Sequence, residues 1–359
     1  MYDLWGKTAA LTFVVFVALF KAASAQPGQE PTLRTQTNLV QVPVLVKDKD
    51  GRLVYGLQAK DFIVEDDGVE QPLRLDEEPE PAPISLVIVL QLGRTAQAEL
   101  PRIRSLGTML QPILSDGRNR AAIVTFDSQI EVKQPFTTNG ALIAADISRL
   151  TSGDHGAVIR DAVAYSAAIL RREPPERQRV LLLVSETRDH GSHVVSVEET
   201  VRAITDGNIL VYTLAFSPVL SEVLDNMRGD SGKGHPVAPL DATRQDEIVR
   251  GEVLPDGSER GAIPLQRLVV MAAQALRKNS PRSIAAMTGG EYELFKSHAG
   301  FEARMMEFTN HLRNRYLLSF EPKDPRPGLH EIRVRLRQPG KASVLARNRY
   351  WAHPVTAGP

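Results

Sequence analysis

The chain contains no cysteine. That excludes disulfides, thiol catalysis, cysteine-ligated zinc and lipid attachment through a thiol. It carries no net charge either, with 43 basic and 43 acidic residues. A basic footprint for nucleic acid is therefore missing, and no polyanionic partner is implied. Aromatic residues are sparse at 6%, with two tryptophans. Among the eight histidines no HExxH or comparable metalloprotease spacing occurs. No internal repeat of fixed period is visible. What remains is ordinary: 359 residues, 42% hydrophobic and 24% charged. This composition suits a soluble globular protein of roughly two domains with a substantial core.

The one long apolar run lies at the start. "TAALTFVVFVALF" (8–20) follows a short polar stretch, and Ala23-Ser24-Ala25 offers a small-x-small cleavage site before Gln26. This is the layout of a secretory signal peptide, expected over 1–25. The run is shorter than the roughly 20 residues a spanning helix needs, so no membrane span is expected after cleavage. The expected destination is outside the cytoplasm: periplasm, cell envelope or extracellular space.

Residues 26–37 read as a flexible lead-in. Residues 38–76 read as a small β unit, with Asp50-Gly51 and Asp67-Gly68 as hairpin turns and Pro43 marking an edge strand. Asp48-x-Asp50-Gly51 faintly resembles the start of a calcium loop. The twelfth position from Asp48 is Ala59 where a carboxylate is required, which leaves solvated hairpin charges. An acidic, proline-rich linker covers 77–83.

From 84 onward strands and helices alternate. Apolar runs at 84–90, 120–128, 179–186 and 208–217 read as strands buried on both faces. Leu100, Ile103, Leu106, Leu110 and Ile113 recur at helical spacing, as do Ile159, Ala162, Val163, Ser166 and Leu170. The segment between the second strand and Ile159 reads as a short polar connection. Residues 217–265 break the rhythm and read as one long loop, of the kind that is functional or disordered. Helical segments, a Gly289-Gly290 stop, a short strand and a closing helix at 301–315 follow. Residues 316–352 return to β patterning, in which Ile332, Val334 and Leu336 alternate with Arg333, Arg335 and Arg337, and 353–359 form a tail. The expected fold is α/β: a doubly wound, mostly parallel sheet (84–315) with an accessory β unit formed by the N- and C-terminal segments.

Three short matches in the long loop carry little. "GDSG" (229–232) lacks the fold that serine-protease chemistry needs. "SGKG" has Met227 and Gly234 where a phosphate loop requires Gly and Ser or Thr. "RGD" (228–230) is a tripeptide of the sort that arises often by chance.

"GLQAKDFIVEDDGVEQPL", "SLVIVL", "GAVIRDAV", "RVLLLVSETRDHGS", "AAMTGGEYELF" and "RNRYLLSFEPKD…ARNRYW" occur in that order over roughly 38–352. In their order and spacing the chain resembles the von Willebrand factor A-type family, and within it the VWFA-related proteins first grouped from acidobacterial genomes. The resemblance implies a metal-ion-dependent adhesion site at the C-terminal edge of the strands and a role in binding proteins. Here that site is degenerate. The family's Asp-x-Ser-x-Ser falls on Gln91-Leu92-Gly93-Arg94-Thr95, its metal-site Thr on Ala157 and its distal Asp on Glu186. Gly93 and Ala157 offer no side-chain oxygen, and Arg94 adds a positive charge. Only Thr95 and Glu186 remain as weak metal candidates, too few for a hard ion that wants six oxygens.

Three readings follow. The first is an exported interaction module, adhesive or scaffolding, working without a metal or other cofactor. It would engage a protein partner through the sheet edge and the 217–265 loop, with Asp154, His155, Arg188, Asp189 and His190 on the rim. The second is a metal-dependent adhesion module that holds magnesium or manganese at an atypical site. The third is a hydrolase in which the two Asp-His pairs, 154–155 and 189–190, rebuild a zinc-type site.

Overall fold

The computed structural model describes residues 39–75, 81–216, 269–273, 276, 279–324, 326–338, 340 and 342–353. The signal segment, the lead-in, most of the acidic linker, the whole 217–265 loop with its three short motifs, and most of the tail lie outside the described residues.

The first described strands are β1 (Val40–Lys47), β2 (Phe62–Asp66), β3 (Val69–Glu70) and β4 (Arg74–Leu75). The Asp67-Gly68 turn joins β2 to β3 with φ of 48° and 83°, the mirror-image turn that Asp-Gly favours in hairpins. Asp50-Gly51 also turns, but only the bridge Lys47–Leu53 follows it, and no second strand forms. The Tyr316 hydroxyl takes the place of a strand partner there. It donates to the Val54 carbonyl at 2.9 Å and accepts from the Leu57 N–H at 3.1 Å.

The α/β part begins with β5 (Ile84–Gln91), whose eight residues are all buried. Then come α1 (Leu100–Met109), α2 (Gln111–Leu114), β6 (Arg120–Phe126), β7 (Ile130–Thr137), α3 (Gly140–Ser148) and α4 (Ile159–Arg171). After these run β8 (Gln178–Glu186), α5 (Val197–Thr205), β9 (Ile209–Phe216), α6 (Ser280–Thr288), β10 (Tyr292–Leu294) and α7 (His298–Arg313). The sheet order is β10-β9-β8-β5-β6-β7, parallel except for the last pair. Alternate residues of β5 enter two cores. Leu86, Ile88 and Leu90 meet Ile103, Leu106, Ile143 and Phe301 on one face; Val87 and Val89 meet Ala162, Val163, Val201 and Ile284 on the other. This is the doubly wound arrangement that all-apolar parallel strands require.

Residues 130–148 correct the expectation of a short polar connection, for they form β7 and α3. β7 is a half-exposed edge strand whose alternation of partly buried and exposed residues and Pro135 hide it among the fully apolar runs. Asn139 caps α3 by accepting the Leu142 N–H at 3.1 Å.

The chain closes with β11 (Tyr316–Phe320), β12 (Gly328–Leu336), β13 (Ser343–Ala346) and β14 (Arg349–Ala352). These interleave with the N-terminal strands in two antiparallel sheets, β13-β1-β11-β4 and β14-β12-β2-β3. Their inner faces share one core of Val40, Val42, Val44, Phe62, Val64, Leu318, Phe320, Ile332 and Tyr350. Neither terminal segment could bury these side chains alone. β1 lies inside its sheet, which corrects the edge assignment drawn from Pro43. Proline is tolerated because β13 pairs only with Val44–Lys47, so no partner on that side needs an N–H at 43. On the outer face Arg335 pairs with Glu65 at 2.7 Å and Arg337 with Glu70 at 3.1 Å.

Candidate functional site

The C-terminal ends of β5, β6 and β8 bring together loops 91–95, 127–128, 153–157 and 186–195. Gln91, fully buried, reaches Glu186 and Thr95 from beneath. Its Nε2 donates to Thr95 Oγ1 and to Glu186 Oε1, each at 2.8 Å. Its Oε1 accepts the Glu186 backbone N–H at 2.8 Å, and the Thr95 hydroxyl donates to Glu186 Oε1 at 3.0 Å. Three of the five positions on which the resemblance places the family's metal ligands are thus closed into one hydrogen-bonded set. An amide N–H₂ supplies the positive ends to which the hydroxyl and carboxylate oxygens turn. Glu186 Oε2 has only the exposed His190 ring beside it, at 3.5 Å.

Gly93 is more than an absent ligand. A methyl carbon built there would overlap the Gly156 carbonyl oxygen, and one built on Gly156 would overlap the Ser128 backbone. The 153–157 loop has settled onto 92–94: the Gly153 N–H donates to the Leu92 carbonyl at 2.7 Å and the Arg94 N–H to the Asp154 carbonyl at 2.6 Å. Ala157 and His190 exchange backbone bonds at 3.2 and 2.9 Å, which ties this loop to the one after β8. A serine at 93, as the family motif has, does not fit this loop packing.

The four rim acids and imidazoles do not converge. Asp154 Oδ1 accepts the N–H groups of Ser128 and Gly156 at 2.9 and 2.8 Å, and its Oδ2 accepts the Ser128 hydroxyl. These bonds hold the Asp154 carboxyl below the usual carboxylate range. Asp189 is held by Arg160 and by the Ser192 hydroxyl. His155 faces Arg94 at 3.4 Å, and His190 stands beside Glu186. Each group is engaged with a separate partner, which leaves no shared cation centre for a rebuilt zinc-type site. Arg188 is exposed and makes no hydrogen bond or ion pair with any described residue.

Asp161, in the first turn of α4, went unnoticed in the sequence. It is buried and accepts the N–H groups of His193, Val194 and Val195 at 2.9, 3.1 and 2.9 Å, which fixes the loop after β8. The signal was available as an acid within the apolar face "GAVIRDAV". Beside this loop lies a cleft of about 960 Å³ lined by Arg160, Arg188, His190, His193 and Ser196 among others. Val194, 74% exposed, stands at its rim.

Residues 103–250 match the family model of the von Willebrand factor type A domain. The chain carries such a domain. The match begins past β5, so the Gln91–Thr95 loop lies outside it. No curated protein matches the sequence. Solved structures similar to it include the conserved protein BatB from Bacteroides thetaiotaomicron, at 14% identity over 64% of this chain and 100% of that one, with a TM-score of 0.38. Proximal thread matrix protein 1 from the mussel byssus, in a form with zinc at its adhesion-site motif, is 14% identical over 66% of this chain and 47% of its own, with a TM-score of 0.39. The type A domain of the pilus tip protein Mfa5 from Porphyromonas gingivalis is 15% identical over 45% and 56%, with a TM-score of 0.27.

The type A domain is joined to the sandwich through buried charge. Glu291, just before β10, receives Lys47 of β1 at 2.7 Å, His311 of α7 at 3.0 Å and Arg315 at 3.5 Å. Burial pushes its carboxyl up, and the hydrogen bond from His311 with the charges of Arg315 and Lys47 outweighs that, holding it down at about 2. Arg202 of α5 stacks over the Trp351 ring at 5.0 Å. No helix among the described residues is long and apolar enough to cross a membrane.

Proposed function

We propose that the protein is an exported interaction module whose type A domain binds a protein partner at the C-terminal edge of its sheet without a divalent cation there. The closed set Gln91–Thr95–Glu186 carries this reading. A hard ion needs several oxygens free to turn toward it, with carboxylate charge among them. Here the hydroxyl and one carboxylate oxygen are already bonded to an amide, and the loops are packed too closely for a serine at 93. With the acids Glu186, Asp154 and Asp189 engaged internally, the outward charges are Arg94 and Arg188. The partner surface they suit is acidic, and loops on a rigid scaffold are the usual seat of such recognition. Binding is favoured over catalysis because the Asp and His groups of the rim stand apart, with no nucleophile–base pair between them.

The test is capture of partners by the immobilised full chain in EDTA and in magnesium. The reading expects the same partners in both, weakened at least tenfold by Arg94→Ala combined with Arg188→Ala. Partners held only in magnesium and lost on Glu186→Ala would overturn it in favour of metal-dependent adhesion. For export, the mature protein recovered from the native host should begin at Gln26. A product retaining residues 1–25 inside the cell would remove that part of the proposal.

A further inference from the structure

In the sandwich, 264 residues of sequence separate two acids from an imidazole that meets them. Asp66 ends β2, Asp67 is the first turn residue after it, and His330 lies on β12, paired with β2. His330 Nδ1 stands 3.1 Å from Asp66 Oδ1 and 3.1 Å from Asp67 Oδ2. Among the described residues this is the one group of three such side chains whose ligand atoms lie within 4.8 Å of one another.

Every ligand atom is oriented from behind. The far ring nitrogen of His330, Nε2, meets the Arg326 carbonyl oxygen at 2.7 Å, which requires a hydrogen on Nε2. The Tyr350 hydroxyl donates to Asp66 Oδ2 at 2.9 Å, and the Glu331 N–H donates to Asp67 Oδ1 at 2.9 Å. A carbonyl behind the imidazole and a donor behind each carboxylate is the outer shell that metal ligands characteristically have. The spacing agrees. A single charge-assisted N–H···O⁻ bond runs at about 2.7–2.9 Å. Ligand atoms at the corners of a zinc tetrahedron stand about 3.3 Å apart for bonds of about 2.0–2.1 Å. The two contacts of 3.1 Å lie between, so a few tenths of an ångström of movement would admit the ion. His330 and Asp66 are buried, while Asp67 is only partly buried and meets solvent beside the Arg326 guanidinium.

Without a metal, a hydrogen on His330 Nδ1 is what lets the ring approach Asp66 Oδ1 and Asp67 Oδ2 to 3.1 Å each, as the one on Nε2 does for the Arg326 carbonyl. The ring then carries a hydrogen on each nitrogen, and the guanidinium of Arg326 adds charge at Asp67 Oδ2, 3.1 Å away. Zinc would displace the hydrogen of Nδ1 to solvent and supply in its place the charge that the two carboxylates share.

We propose that Asp66, Asp67 and His330 form a zinc-binding site, with a water completing the tetrahedron. It lies in the sandwich, away from the loop where the family's metal belongs, and stands or falls independently of the proposed function.

The test is titration of the metal-free full chain with zinc chloride, read by calorimetry and by the ¹⁵N resonance of the His330 ring. One equivalent should bind, and the Nδ1–H signal should vanish while Nε2–H persists. Asp67→Asn keeps a turn-forming residue and should weaken binding at least tenfold; His330→Gln should abolish it. Cobalt in place of zinc should give the intense visible bands of a tetrahedral site. An Nδ1–H signal that survives excess zinc would overturn the proposal and leave His330 as an imidazolium clamp. Binding unchanged by both substitutions would overturn it as well.

Discussion

Two clusters in this protein can be set side by side. At the end of β5, where family resemblance implies a metal, Gln91, Thr95 and Glu186 bond to one another through four hydrogen bonds and hold one charge between them. At the end of β2, where nothing in the linear sequence points to one, Asp66, Asp67 and His330 gather two carboxylates around an imidazole. On the reading proposed above, the first has the right address and the wrong atoms, and the second has suitable atoms at an unmarked address. The difference teaches that a ligand set is a property of atoms and free lone pairs, and that a motif's position transmits neither. A glutamine amide can end a metal site by occupying the partners that the ion would need.

The largest effect is expected where the first cluster is pushed back toward the family motif. Gly93→Ser should destabilise the fold by about 3 kcal/mol in chemical denaturation, because the added carbon meets the Gly156 carbonyl in close-packed loops. A serine accommodated without loss would break the view that the loops have closed over the site. Next comes acid. Glu291 is held at about 2 in the folded chain, against 4.5 for the free side chain. Its contribution is complete above pH 4.5 and is lost as pH falls from there toward 2, roughly 3 kcal/mol in all. Denaturant melts at pH 6 and pH 3 should show the larger part of that loss, since pH 3 still lies above the folded value, and in Glu291→Gln the pH-dependent part should shrink by the same amount. This measures what a buried carboxylate is worth when cationic side chains satisfy it, a scale for both clusters.

A smaller change is expected from Glu186→Ala. It leaves a buried amide hydrogen of Gln91 unpaired and should cost about 1 to 2 kcal/mol, equally in EDTA and in magnesium. The smallest is for Arg94→Ala and Arg188→Ala, exposed residues whose loss should move stability by about 0.5 kcal/mol or less while weakening the partner.

Much of this could be read from the sequence. The apolar runs marked β5, β6, β8 and β9, because strands buried on both faces need no alternation. That 91, 157 and 186 lie at one edge of the sheet follows from the strand ends, which were legible too. What was not visible depends on approach in space. Gly93 reads as a missing oxygen, and only the folded loops show that Gly156 fills its place. Asp154 and Asp189 look available in the chain, but Ser128 and Arg160 have taken them. β7 escaped because its half-buried alternation, interrupted by Pro135, resembles a polar connection. Asp66 and His330 are neighbours only because β12 returns to pair with β2.

The central claim, that the edge loop is self-satisfied and needs no ion, is tested most directly by the melting temperature of the full chain in EDTA and with magnesium or manganese at millimolar concentration. An ion that binds only the folded state must raise that temperature in proportion to its occupancy. The account predicts no rise with either ion, in the wild type or in Glu186→Ala. A clear rise with magnesium or manganese, abolished by Glu186→Ala, would contradict it.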